Sequence, residues 1–258
     1  LKWGIFGAAM ATALSFFASF LYILWFFLFR SELKPQRKHF LYHKKIAKEI
    51  TSLSFVTFAR QGVISVLSVL LNHTLFAHGG EHAVTVYGII SRLLMFMLFP
   101  VQGITQGFLP IAGYNYGAEN YGRVRKSITT AIWYAAGLAI LIFIAILIFA
   151  KPIVALFTTD PAVIRDTPGA LRWVFAASPI IAIQLIGAAY FQAVGKATKA
   201  LMLTLSKQGF FLIPLVLILP QFFGIFGVWV AFPVADVLST ILTGIFLKKE
   251  MAAELKEP

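Results

Sequence analysis

The sequence predicts an all-α, polytopic membrane bundle of seven transmembrane helices, and three observations predict it. The 258-residue chain is 59% hydrophobic and only 12% charged, with a mean hydropathy of +0.84, well outside the range of a soluble domain of this size. Its apolar residues fall in runs of the roughly 20 residues that a helix needs to cross a hydrocarbon core. No run alternates polar with apolar residues, as a membrane barrel strand must.

The first span covers about 4–29. It is too long for a signal peptide and has neither a basic leader nor a small-residue cleavage site. It opens on Trp3-Gly-Ile-Phe-Gly7, and the last span, about 224–247, opens on Phe223-Gly-Ile-Phe-Gly227. Both runs end in basic residues, from Arg30 onward and at Lys248-Lys249. The shared context indicates an internal duplication. The chain is therefore expected to be a fragment, holding the last span of one half and the whole of the next. The absence of Met at Leu1 fits that expectation.

The stretch from Arg30 to Lys48 is polar, broken at Pro35, and forms the boundary between the halves. The expected units are a last helix of the first lobe at 1–29, a basic linker at 30–49 and a six-helix lobe with its tail at 50–258. Within that lobe, spans follow at about 51–76, 84–110, 127–150, 169–194 and 200–219 before the last one. Their short connections imply antiparallel neighbours. Pro100, Pro179, Pro214 and Pro233 lie inside spans. Proline there removes a helical hydrogen bond and kinks the helix, which tilts the reading toward a moving bundle. Gly103, Gly107, Gly187 and Gly195 are expected to permit close helix approach.

The formal net charge of +12 invites a nucleic-acid partner, but the distribution argues against one. Lys and Arg gather in alternate connections: 30–48, 123–126, 195–207 and the tail from Lys248. The intervening connections hold only Lys151 and Arg165. This is the positive-inside pattern, and it places those basic loops and the C-terminus in the cytoplasm. The partner implied is the bilayer. The absence of cysteine excludes disulfides and thiolate metal sites. His43, His73, His78 and His82 show no metal-ligand spacing, so no metal is expected.

The segment from Gln102 to Lys126, QGITQGFLPIAGYNYGAENYGRVRK, is a span that turns polar, stops at Pro110 and passes through an aromatic turn into a basic amphipathic helix. Gly113, Gly117 and Gly122 are expected to supply the turn conformations. This segment resembles the signature at the join of the eighth and ninth helices of the multidrug and toxic compound extrusion (MATE) transporters. GIFGAAMATALS resembles that family's sixth helix, and the run from Tyr87 to Arg92 resembles the start of its eighth. The run from Tyr190 to Lys196 resembles the end of the tenth, and GIFGVWVAFPVAD the twelfth.

The resemblance implies two six-helix lobes around a central cavity. It implies export of cationic or amphipathic small molecules in antiport with Na⁺ or H⁺ across a bacterial cytoplasmic membrane. This chain would hold the sixth helix and the second lobe, so its partners include the absent first lobe. No organic cofactor is implied. A half-transporter has no facing lobe to rock against, so residues 1–258 alone are not expected to export ethidium.

Asp236 is the one acid inside a span, and Arg60 and Arg92 are deep cations. At 1.5 Å per residue, each lies ~12–18 Å from one end of its span, which places all three near the midplane. A charge there is costly and points to function. Asp236 is either a coupling carboxylate that exchanges a proton or binds Na⁺, or the permanent partner of Arg60 or Arg92. An Arg neighbour favours the charged carboxylate and makes a poor proton carrier, which favours the structural pair.

One branch resembling this chain places cation-binding acids on the seventh and tenth helices. The corresponding spans here contain none and offer Gln61, Asn72, Gln184 and Gln192 instead. Gln102, Gln106, Tyr190 and Asn115 are further candidates to line a cavity, with Met95, Phe96 and Met97 as adaptable apolar contacts. The bland alternative for the amides is interhelical hydrogen bonding. No HExxH, GxSxG or phosphate-cradling loop is present, so the chain is not read as an enzyme. A lipid-linked saccharide flippase of the same superfamily is the alternative transporter, kept open by Arg60 and Arg92.

Overall fold

Apolar runs this long leave backbone N–H and C=O groups no partner but one another, and among the described residues every regular element is helical. The computed structural model describes residues 3–31 and 44–253, except for the side chains at 45, 46, 48–50, 52–57, 59 and 60. Most of the linker expected over 30–48 lies outside these residues. The chain divides into two compact units, 1–53 and 54–258.

The first unit contains α1 (Gly4–Phe29), whose sequence is apolar on every face. Such a helix suits lipid rather than water. α2 runs from Lys44 to Gly117 and is helical throughout except at Gly80, where φ is 62° and ψ −162°. That conformation is open essentially to glycine alone. The apolar stretch Gln61–Gly117 is 57 residues long. At about 85 Å that is twice the depth of a bilayer. Residues at similar distances from Gly80, such as Asn72 and Gly88, line one and the same cavity, so the two arms fold back on each other.

α3 (Tyr121–Ala155) starts on Asn120, whose side chain accepts from the Arg123 N–H, and bends at Phe149, three residues before Pro152. α4 (Pro161–Val174) starts on an Asp160 cap with proline in its first turn. A 3₁₀ turn at Ser178–Ile180 containing Pro179 separates it from α5 (Ile181–Ala193). α6 (Ala197–Leu205) passes into a π-helical segment, Ser206–Leu212, and then into α7 (Ile213–Phe223). The Ile213 N–H donates to the Gln208 carbonyl five residues back, and Pro214 follows with no N–H to restore the ordinary ladder. α8 (Ile225–Ala253) returns antiparallel to α7 after Gly224.

Six helices among the described residues are long and apolar enough to cross a membrane, where the sequence predicts seven spans. The difference lies at Gly80, whose single non-helical residue leaves the spans predicted at 51–76 and 84–110 in one element. Two other expectations change. α2 continues helically through Pro110 to Gly117, and the turn after it is made by Glu119 at φ 56°, not by Gly113, Gly117 or Gly122. Gly113 instead receives the Ala193 carbonyl, which a Cβ would meet at 3.3 Å. Of the four glycines expected at helix contacts, Gly187 makes a close approach, while Gly103 and Gly107 face open space and Gly195 turns at φ 76°.

Two apolar clusters fill the second unit. One joins α2 to α4 and α8 around Leu75, Ile90, Phe175 and Val228. The other gathers Phe108, Ile128, Ile186, Phe191 and Leu203. Pro100 and Pro233 sit inside uninterrupted helix, whereas Pro179 lies in the 3₁₀ turn and Pro214 just after the π-helical segment. Ser178, Lys207 and Leu212 of that turn and segment line a cavity beside the first cluster.

Candidate functional site

Asp236 lies eleven residues into α8, about 17 Å along the helix, and its side chain is 6% exposed. Ser239, Thr240 and Thr243 continue its buried face. Two of their hydroxyls are spent locally: Ser239 donates to the Asp236 backbone carbonyl and Thr243 to that of Ser239. The carboxylate is left for another partner.

That partner is Lys207. Its Nζ lies 2.5 Å from Asp236 Oδ1. Lys207 is the second residue of the π-helical segment, where an extra residue per turn widens the helix and re-aims side chains. The pair borders a cavity of about 490 Å³ enclosed by both arms of α2, by α4 and α5, and by the π segment and α8. Its polar lining includes Ser68, Asn72, Tyr87, Ser91, Ser178 and Gln208. Met95, Met97 and Phe232 are among its apolar walls, and the Tyr87 and Phe232 rings lie 5.9 Å apart. The arrangement is a neutral ion pair in an apolar and aromatic enclosure, suited to holding an organic molecule with a polar or charged end.

Of the two arginine partners expected for Asp236, Arg92 is ruled out and Lys207 stands in its place. Arg92 is exposed and does not line the cavity, and the Arg60 side chain lies outside the described residues. Lys207 fills the role because α6, the π segment and α7 run antiparallel to α8 and bring it to the same depth. The signal is present in the sequence: Lys207 sits inside the span predicted at 200–219, yet the alternation of basic connections groups it with the cytoplasmic cations.

The predicted amides do not converge. Gln184 is buried and donates to the Leu203 carbonyl at 3.3 Å, an interhelical tie. Tyr190 is fully buried against Phe191 in the second cluster. Gln61, Gln102, Gln106 and Gln192 are exposed and line no part of this cavity. Asn115 donates to the Ile111 carbonyl and lines a separate open groove with Arg123 and Lys126. Phe96 is exposed and lines no part of the cavity; Met95, also largely exposed, and the buried Met97 both line it. Among the described residues no group of acids and histidines is placed to hold a metal.

A second charged cluster stands at the far end of α8. Glu250 is 4% exposed, accepts from Lys196 Nζ, and holds Lys199 Nζ at 3.0 Å. It fastens the turn between α5 and α6 to the end of α8.

Comparison with known proteins gives a consistent picture. The MatE family model matches residues 54–218. The multidrug export protein MepA of Staphylococcus aureus (strain N315) is 27% identical over 255 residues, covering 97% of this chain and 56% of its own length. An outward-facing multidrug resistance MATE family transporter of the MOP superfamily superposes with a TM-score of 0.86 at 23% identity, over 99% of this chain and 58% of that one. A MOP superfamily transporter from Pyrococcus furiosus, for which a reversed pocket polarity suggests a different function, gives 0.86 at 24% identity over the same shares. The chain thus spans little more than half the length of these relatives.

Proposed function

Since the chain belongs to the MatE family, we propose that it forms one lobe of a secondary active multidrug exporter, with an ion and substrate site built on Asp236. The transporter moves cationic or amphipathic small molecules out of the cell in antiport with Na⁺ or H⁺. It lies in the bacterial cytoplasmic membrane with its basic connections and C-terminal tail inside, the orientation that its alternating cation clusters favour.

The observation that supports this reading is the Lys207–Asp236 pair, its carboxylate buried and its lysine mostly so, on the wall of a partly open cavity of about 490 Å³. A charge pair at membrane depth is costly and is retained where it serves a pathway. The exposed amides of Gln102 and Gln106 on α2 support it from another side. They are poorly suited to lipid and well suited to the wall of an aqueous cleft. The flippase alternative draws no support, because the cation in this cavity is cancelled by Asp236 and leaves no surplus for a pyrophosphate.

The test is ethidium export by the whole transporter in an efflux-deficient bacterial host. Export is expected, and Asp236→Asn is expected to reduce it at least about tenfold at unchanged membrane abundance, equivalent to ~1.4 kcal/mol. Full export by Asp236→Asn would remove Asp236 from the transport pathway.

A further inference from the structure

The cavity is electrically balanced before any ligand arrives. Lys207 supplies one positive charge and Asp236 one negative charge, with side chains 19% and 6% exposed. An entering monocation would leave three charges with a net excess of one among apolar walls. Such an uncompensated buried charge is strongly unfavourable. The balance is restored only if one positive charge leaves.

The groups that face the pair decide which charge that is. From the two arms of α2, the one titratable group lining the cavity among the described residues is Tyr87. The α4, 3₁₀ and α5 stretch offers Val174, Ser178 and Ile181, none of which titrates. α8 offers Asp236 alone and the π segment Lys207 alone. A phenol is neutral in this range and releases no positive charge. Among the described residues lining the cavity, the lysine is the one group whose loss of a proton removes a positive charge.

We propose that Lys207 is a tethered competitor for Asp236: an amphipathic organic monocation takes the carboxylate, and Lys207 releases one proton to the water. Only the N–H bond of the ammonium breaks. Its electron pair stays on Nζ as a neutral amine, the proton passes to the aqueous phase on the side where the cavity is open, and the charge of the cavity remains zero. Release of the cation on the other side lets Lys207 take up a proton and return to Asp236.

This rests on the export reading and names its coupling: one proton exchanged per monocation in this lobe. The walls set the ligand class. A volume of about 490 Å³ is far larger than a bare metal ion requires, and Tyr87, Phe232, Met95 and Met97 suit a polarisable organic cation. The π-helical segment supplies the play that the exchange needs, because its widened turn and the four-carbon lysine stem let Nζ withdraw without moving α8.

The experiment uses the purified whole transporter and tetraphenylphosphonium, a permanent cation with no proton of its own. Its Kd and the protons released on binding are measured between about pH 6 and 9. In the wild type, affinity rises with pH, approaching about tenfold per unit, and on the order of one proton is released per cation bound. Lys207→Gln is expected to bind with a flatter pH profile and to release fewer protons. Lys207→Arg keeps the charge but has no proton to give, so it should bind more weakly at every pH and also release fewer. Wild-type slope and proton yield in both variants overturn the proposal while leaving cation export standing. No binding of tetraphenylphosphonium by the wild type at any pH overturns both.

Discussion

Gly187 on α5 faces Thr243 on α8 so closely that a Cβ at position 187 would collide with Thr243 Cγ2. The threonine cannot swing aside freely, because its hydroxyl donates to the Ser239 carbonyl at 2.8 Å. The two helices are therefore locked at backbone distance, about two turns along α8 from Asp236 on the same buried face. Gly187→Ala is expected to cost about 1–3 kcal/mol through overpacking. Thr243→Ser, which keeps the hydroxyl and removes the offending methyl, should recover most of that loss in the double variant. The thermal midpoint of the detergent-solubilised protein measures both, and additive effects would disprove the contact.

Glu250 sits buried between two ammonium groups, those of Lys196 and Lys199. Both lysines read from sequence as ordinary loop cations of the positive-inside pattern. Replacing the carboxylate leaves two like charges together at a partly buried site, so Glu250→Ala should destabilise by a few kcal/mol, less than a fully buried pair because Lys199 is half exposed. Loss of amide protection centred on residues 195–199, measured by hydrogen exchange, is the expected signature. Unchanged protection there would mean that the cluster does not fasten the turn.

The spans are legible in the sequence because hydropathy reports burial in lipid directly, and Asp236 is legible because an acid in such a span has few innocent explanations. The partners of these residues are not. A membrane helix is apolar on nearly all sides, so the periodicity that tells inside from outside in a soluble helix is lost. Gln184 and Gln192 look equivalent as letters in one span, yet one ties α5 to α6 and the other is exposed. Lys207 is hidden for another reason. The positive-inside rule accounts for cations near span ends, and it absorbs one that the π segment carries to mid-depth.

Gly80 makes a strict demand on residue type. At φ 62° and ψ −162° any L side chain is strained, so Gly80→Ala should cost on the order of 1–3 kcal/mol. Gly137 is the control: it lies within α3, and a methyl group added there would have no neighbour within 4 Å. Gly137→Ala is expected to be neutral or to stabilise by up to about 1 kcal/mol. Equal effects at the two sites, measured in a mild denaturant series, would contradict the strained turn.

Substitution separates a transport role of Lys207 and Asp236 from a stabilising one. Lys207→Leu strands a buried carboxylate and should destabilise by about 3–5 kcal/mol. Removing both charges at once, as Lys207→Met with Asp236→Leu, refills the space with apolar atoms and is expected to restore or exceed wild-type stability. If the pair existed to hold the lobe together, the double variant would be the less stable protein. If it exists for exchange, the double variant should be stable, abundant in the membrane and unable to export ethidium. A double variant that is stable and exports normally would leave the Lys207–Asp236 pair without a role in transport.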